Sequence, residues 1–296
     1  HFAALLDTPA ELVGVVDVPP AKRETTNPLP DGLINPVQIA HQRGIAAFEP
    51  NSPNDPGFIS ALEELKPDLF IAAGYALILR SEVLKVPSIL AANFHASLLP
   101  QYRGKHPVFW ALRNSEKWAG LTVHAMDEGI DTGDILYQVK VRTRREDSVA
   151  SLYERIMARS LPLVAQLVVD ADSGSIPRRS QPERSGSYYS GTTDEDFRLD
   201  WHWPAEKIHC FVATTPGKCY TELRGQRVHF LNAKCEQVGQ APPAGTLLRV
   251  GRKRAAVAAN PGGISSNRVQ VEGQEAETFA TLCRRLGLVP GDTLLV

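Results

Sequence analysis

The sequence predicts an α/β unit, a mostly parallel sheet with helices on both faces, followed by a small β-barrel domain. Three observations carry this. In the first half, short apolar runs at residues 13–18, 47–49, 69–73 and 89–94 alternate with helical segments, an order that implies crossover connections and parallel strands. Between residues 173 and 200 the composition changes to Ser, Gly, Pro and charge, which reads as an extended connector. Beyond it, strand-like segments at residues 220–223, 227–233, 245–250 and 254–259 are separated by turn signals, the pattern of a small barrel.

Taken in order, a short helix-like piece precedes the first strand. A helix is expected from Val108 to Arg113 with Pro107 in its first turn. A long helix is expected from Asp147, where Asp147 or Ser148 serves as cap and Val149, Leu152, Ile156, Leu163 and Leu167 recur at helical spacing, with Pro162 as a kink. These boundaries give a first domain over residues 1–176, a connector over 177–200 and a second domain over 201–296.

A chain of 296 residues with 43% hydrophobic content has ample material for a core. No apolar run is long enough to span a bilayer and no basic segment precedes the opening HFAALL, so neither an anchor nor a signal peptide is expected, and the compartment reads as cytoplasmic. All four cysteines, Cys210, Cys219, Cys235 and Cys283, lie in the last third at spacings that match no zinc or redox pair, and are read as structural. Residues 201–296 hold 12 Lys and Arg against 7 Asp and Glu, a net of +5, so the remainder carries −6 of the overall −1. A basic second domain suits a polyanionic partner, and Arg252, Lys253 and Arg254 around one turn, with Arg249 beside them, are its candidate phosphate contacts.

The chemistry concentrates in two stretches, Asn93-Phe94-His95-Ala96-Ser97-Leu98-Leu99-Pro100 and Gly129-Ile130-Asp131-Thr132-Gly133-Asp134. Asn93 and His95 alternate at the end of an apolar run, so a strand points both side chains to one side. There they suit donation to an oxygen gaining negative charge during acyl transfer. Asp131 would orient the imidazole and pass protons. Arg103 and Lys105 beside this loop are further phosphate contacts. A serine hydrolase is disfavoured because Ser97 sits in no G-x-S-x-G turn. A metal centre is not expected, since His95, His106, His124 and Asp131 form no short ligand pair and the extra histidines read as structural. No G-x-G-x-x-G follows a strand, which argues against dinucleotide binding.

The stretches NFHASLLPQYRGKHP and MDEGIDTGDIL resemble the signatures of the 10-formyltetrahydrofolate-dependent formyltransferases, most of all the methionyl-tRNA formyltransferase family. The resemblance covers nearly the whole chain. Pro36 to Ala40 with Arg43-Gly44-Ile45 resembles that family's helix and following strand, and DLFIAAGYALIL its folate-pocket strand and loop. It implies a Rossmann-like first domain and an oligonucleotide-binding-like barrel after it. The family's catalytic residues fall on Asn93, His95 and Asp131. Its folate contacts fall on Ala76, Leu77, Ile78 and Leu79 and on Met126, Asp127, Glu128, Gly129 and Ile130. The resemblance further implies 10-formyltetrahydrofolate as donor and the amino group of initiator methionyl-tRNA as acceptor. The family has a strand and glycine turn before the first helix, so the numbering is expected to lack an amino-terminal strand. After the arginine-glycine turn, tRNA-acting members usually read Ala-Ala-Pro-Ile where this chain has Lys105-His106-Pro107-Val108, and residues 213–219 lack the usual Trp before Pro216-Gly217. An amino-sugar nucleotide or another small amine is the alternative acceptor, and a non-catalytic folate- or RNA-binding protein of the same fold the reading from a different class.

Overall fold

The computed structural model describes residues 1–19, 36–144, 146–182, 185–239 and 242–294. The chain divides into two compact units. The first comprises His1–Pro107, Trp118–Val141 and Glu154–Ser190, and the second Val108–Lys117, Arg142–Tyr153 and Gly191–Val296.

Along the first half run α1 (Phe2–Leu6), β1 (Gly14–Val16), α2 (Pro36–Gln42), β2 (Ala46–Phe48), α3 (Pro56–Glu64), β3 (Leu69–Ala72), α4 (Ser81–Leu84), β4 (Leu90–His95), β5 (Arg103–Gly104), α5 (Pro107–Arg113), β6 (Trp118–Ala125) and β7 (Ile135–Arg142). Local chemistry sets several of these boundaries. The Asp55 carboxylate accepts from the Gly57 and Phe58 amides and Pro56 supplies a pre-set first turn, so α3 starts there. β1 pairs in parallel with β2, and their apolar side chains pack with α2 around Val15, Val37 and Ala40.

The second sheet corrects the expectation of a mostly parallel arrangement. Its order is β3-β4-β6-β7, and although β3 and β4 are parallel, β6 runs antiparallel to β4. β6 and β7 lie outside the four strands expected in this half, although Leu121 to Ala125 and Gln138 to Arg142 alternate apolar and polar residues as strands do. The outcome is a mixed, Rossmann-like sheet.

The long helix expected from residue 147 is two helices, α6 (Val149–Ser160) and α7 (Pro162–Asp172). Ser148 caps α6: its hydroxyl accepts from the Ser151 amide while the Ser151 hydroxyl accepts from that of Ser148, both at 3.0 Å. Pro162 starts α7 instead of bending α6, since proline has no N–H to donate and its ring clashes with the preceding turn. The inward positions shift with the break, and Val164, not Leu163, is buried. The segment after α7 is extended but tied down. Ile135 and Arg179 exchange two backbone hydrogen bonds, and β8 (Tyr188–Tyr189) pairs in parallel with β5. Gly104, at φ +90°, is required there, because a Cβ would run into the Tyr189 carbonyl oxygen.

The second unit continues with α8 (Ala205–Thr214), β9 (Tyr220–Leu223), β10 (Gln226–Phe230), β11 (Lys234–Glu236), β12 (Leu247–Val250), β13 (Ala255–Ala258), β14 (Gly263–Ser266), β15 (Val269–Val271), β16 (Ala276–Glu277) and α9 (Phe279–Arg285). Its core joins Trp201, Phe230 and Phe279 edge to face. The strands form two four-stranded antiparallel sheets, β16-β15-β10-β9 and β11-β14-β13-β12, and among the described residues they do not close into the predicted barrel. At the outer edges Tyr220 of β9 bridges Arg198, and Thr246, just before β12, bridges Thr293, so each edge meets a flanking segment and not the other sheet. Cys219 and Cys283 are buried, which pushes both thiols up to about 12, as fits a packing role, whereas Cys210 is half-buried and Cys235 exposed. Among the described residues no helix is long and apolar enough to cross a membrane.

Candidate functional site

The structure brings Asn93, His95 and Asp131 together. Asn93 and His95 lie two apart on β4 and therefore face one way. Because β6 is antiparallel, the loop after it leaves beside the first half of β4, where the Met126 amide donates to the Ala91 carbonyl. The loop must turn back to deliver Asp131, which it does with Asp131 in the left-handed region at φ 55°, a conformation that costs an L-residue about 1 kcal/mol. Asn93 Nδ2 then lies 3.2 Å from Asp131 Oδ1, and His95 Nδ1 lies 3.5 Å from Asp131 Oδ2.

A fourth member was missed. His124 stands opposite Asn93 in the β4–β6 register, buried, with Nε2 3.2 Å from both Asn93 Nδ2 and Asp131 Oδ1. Its Nδ1 donates to the Ala125 carbonyl at 2.7 Å. The histidine read from sequence as structural thus contacts both Asn93 and Asp131. Only the antiparallel pairing places it there, and a lone histidine inside a buried run carries no such signal.

These distances constrain the hydrogens. Three mutual separations of 3.2 Å make a triangle, so at Asn93 Nδ2 the two acceptors subtend roughly 60°, whereas the two amide hydrogens lie about 120° apart. One hydrogen is shared between His124 and Asp131, and the other points away from both. His95 donates from Nε2 to the Tyr102 carbonyl at 2.8 Å, which leaves the Nδ1 lone pair facing the carboxylate.

Electrostatics separate the two groups. Burial pulls the His95 imidazole below its ordinary value, only partly offset by the Asp131 charge and the Tyr102 carbonyl, so it is neutral at pH 7. Burial alone would raise the Asp131 carboxyl. The adjacent His124 and His95 and the Gly104 amide, which donates to Oδ2 at 2.8 Å, outweigh it and keep the carboxyl below its usual range. The site pairs a neutral base with an ionised carboxylate across a 3.5 Å gap. Ser97 takes no part as a nucleophile, being buried with its hydroxyl donated to the Gln101 carbonyl.

The two loops assigned to folate are exposed and braced. In the first, Ala76 and Ile78 are exposed while Leu77 and Leu79 are half-buried. The Asn54 side chain clamps the backbone on both sides of Leu79, donating to the Ile78 carbonyl at 2.9 Å and accepting from the Arg80 amide at 2.8 Å. In the second, Met126 is half-buried and Asp127, Glu128, Gly129 and Ile130 are exposed. Asp127 braces that turn by accepting from the Gly129 amide and the Thr132 hydroxyl. Each loop presents one isoleucine to solvent, Ile78 at 67% exposure and Ile130 at 43%. Apolar faces beside fixed backbone groups are what a flat heteroaromatic ring requires.

The cations are distributed unevenly. Arg103 donates from Nε and Nη2 to the side-chain oxygen of Gln181, and Lys105 is exposed beside it. In the second unit the β12–β13 turn presents Arg252 and Lys253 to solvent, whereas Arg254 is half-buried with Nη1 enclosed. Arg284, unnoticed in the sequence, closes that turn by donating to the Gly251 and Arg252 carbonyls. Arg249 is paired with Glu236. Among the described residues no three His, Cys, Asp or Glu side chains are grouped to hold a metal ion.

A polar centre of this kind, with a base, a carboxylate and an outward amide hydrogen at a Rossmann-like sheet, defines a group-transfer site that needs no enzyme nucleophile. The chain belongs to the formyl transferase family: residues 9–166 match the family described as formyl transferase, and residues 192–287 its C-terminal domain. It is 32% identical to the methionyl-tRNA formyltransferase of Synechococcus sp. (strain JA-3-3Ab), over 93% of this chain and 87% of that protein, and 31% identical to that of Pseudomonas entomophila (strain L48), over 95% and 90%. Among solved structures it is similar to the N-formyltransferase from Helicobacter canadensis in complex with folinic acid and dTDP-3-aminofucose, with 16% identity, coverage of 87% and 99%, and a TM-score of 0.60. It is also similar to HypX from Aquifex aeolicus in complex with tetrahydrofolic acid, with 17% identity, coverage of 92% and 47%, and a TM-score of 0.56. At these identities the solved structures speak to the fold.

Proposed function

We propose that this chain is a cytosolic enzyme that transfers a formyl group from 10-formyltetrahydrofolate to the amino group of methionyl-tRNA, with Asn93, His95 and Asp131 as its catalytic residues. The observation that carries the reading is the Asn93–His124–Asp131–His95 cluster, found in a chain whose relatives at 31–32% identity are methionyl-tRNA formyltransferases along most of their length. The domain division at residues 1–176, 177–200 and 201–296 belongs to the same proposal. The family matches to residues 9–166 and 192–287 support it.

The bound donor supplies an activated formyl carbon. The loops at Ala76–Leu79 and Met126–Ile130 hold its ring through their exposed isoleucines and braced backbones. The outward amide hydrogen of Asn93 donates to the formyl oxygen, where charge grows as the amine attacks. His95 Nδ1 takes the proton the amine sheds, Asp131 Oδ2 stabilises the imidazolium across the gap between them, and the imidazolium returns that proton to the leaving N10 as the formyl carbon–N10 bond breaks, so that formylated amine and tetrahydrofolate are the products. In this reading Arg103 and Lys105 meet the acceptor near the reacting centre. The second, strand-rich unit contributes Arg252 and Lys253 as phosphate contacts, with Arg254 buttressing their turn.

The test offers isotopically labelled 10-formyltetrahydrofolate to the protein with methionyl-tRNA and, separately, with amino-sugar nucleotides, and identifies products by mass spectrometry. Labelled formylmethionine from the first reaction is the expected result. Label on the sugar nucleotide alone would move the acceptor to the small-amine class, and no transfer to either would leave a binding protein.

A further inference from the structure

We propose that Gln181, supplied by the connector, is a positioning residue for the transfer reaction: one side chain fixes the loop bearing Asp131 and orients Arg103. The inference deepens the function proposed above and rests on it.

All four hydrogen-bonding valences of this amide are used. Gln181 Nε2 donates to the Asp131 carbonyl at 2.9 Å and to the Gly133 carbonyl at 2.7 Å, spanning the residues that turn the loop back. Its Oε1 accepts from Arg103 Nε at 3.1 Å and Nη2 at 2.8 Å. Each end of the amide therefore meets a different part of the site. Asp131 is the residue in the left-handed conformation, which persists only where its surroundings over-determine it, and Gln181 holds its own carbonyl. The loop also has no slack, since a Cβ on Gly133 would strike the Ala125 carbonyl.

Arg103 closes the arrangement. The neighbouring Gly104 amide donates to Asp131 Oδ2, the oxygen that faces His95. Gln181 thus ties the Arg103–Gly104 strand to the Asp131 loop from the outside, while the Gly104–Asp131 hydrogen bond ties them from within. The connector is anchored around the same point: the Tyr102 amide donates to the Ser187 hydroxyl, and β8 pairs with β5. A side chain that reads as part of a solvated connector is placed to set both the carboxylate and the guanidinium on the acceptor side.

Two substitutions in the full chain separate the two ends. Gln181→Glu keeps an oxygen for Arg103 but presents a carboxylate to the Asp131 and Gly133 carbonyls. Gln181→Met removes both ends at similar size. Steady-state transfer to methionyl-tRNA is measured across pH, beginning with the unsubstituted chain. For Gln181→Glu the expectation is a kcat lower by about tenfold or more, from losing two hydrogen bonds at the loop, with the acceptor KM within about twofold. The acid limb of its pH profile should shift, because the Gly104 contact to Asp131 loosens. For Gln181→Met the same fall in kcat should come with a raised acceptor KM. Should Gln181→Met fold poorly, the Gln181→Glu profile decides alone. A wild-type pH profile in Gln181→Glu, with kcat per active protein also unchanged, would mark a merely structural role and overturn the proposal. No transfer by the unsubstituted chain would instead overturn the proposed function, and this role with it.

Discussion

Asn93 and His124 face each other directly across the antiparallel β4–β6 pair, their side-chain nitrogens 3.2 Å apart and each 3.2 Å from one oxygen of Asp131. The consequence is an amide whose orientation is fixed by two neighbours at once. Asn93→Ala and His124→Ala should each lower kcat/KM, and the double variant should lose less than the two together, with a coupling of about 1 kcal/mol or more. A double-mutant cycle on formyl transfer measures this. Strictly additive losses would show that His124 does not hold Asn93.

With His95 as the proposed base, the acid side of the pH profile follows its titration. Its pKa is depressed mainly by burial, so the neutral base is lost only when pH falls through a value below the ordinary imidazole range, and kcat/KM should fall there. Asp131 raises that pKa through its charge. Asp131→Asn removes the attraction, so the acid limb should move to still lower pH while kcat drops. A limb that moved up in the pH–rate profile would mean that His95 is not the titrating group.

The loop at Ala76–Leu79, proposed to hold the donor, offers a test independent of chemistry. Asn54 joins the Ile78 carbonyl to the Arg80 amide, and Asn54→Ala breaks both hydrogen bonds at about 0.5–1.5 kcal/mol each. Donor affinity, read by titration with a folate analogue, should weaken several-fold, while kcat at saturating donor stays within about twofold. Unchanged affinity would remove the loop at Ala76–Leu79 from the donor site.

For the acceptor, salt is the discriminating variable. Replacing Arg252 and Lys253 by Ser should raise the KM for methionyl-tRNA and lower the slope of log affinity against log salt by about one to two, roughly one unit for each phosphate that is no longer neutralised. Arg254→Ser, at a half-buried position, should instead lower Tm. If the salt slope of the double variant matches that of the unsubstituted chain, tRNA engages another surface.

How much of this was legible in the sequence follows from what each signal encodes. Asn93 and His95 could be read because an apolar run ends in polar residues two apart, a pattern local to one strand. Asp131 was legible from its glycine-rich loop. His124 was not, because its significance comes from a partner 31 residues away across a ladder, and the order of strands says nothing about the direction of β6. Gln181 was hidden for a related reason: Ser, Gly, Pro and Arg around it announce irregular backbone but not what that backbone touches. The barrel failed where closure depends on register between distant strands, which turn signals do not specify. Pro162 marked the right position, and its effect, a new helix in place of a kink, depended on which turn it occupied.

On the proposed mechanism Asp131 acts on the reacting groups and not on donor binding, and single-turnover kinetics separate the two. Single-turnover formyl transfer to methionyl-tRNA is compared between the unsubstituted chain and Asp131→Ala, alongside equilibrium binding of a folate analogue to both. The expected result is a rate lower by about 10²- to 10⁴-fold with folate affinity changed only a few-fold. A near-normal rate in Asp131→Ala, or a loss of rate matched by a loss of folate binding, would contradict it.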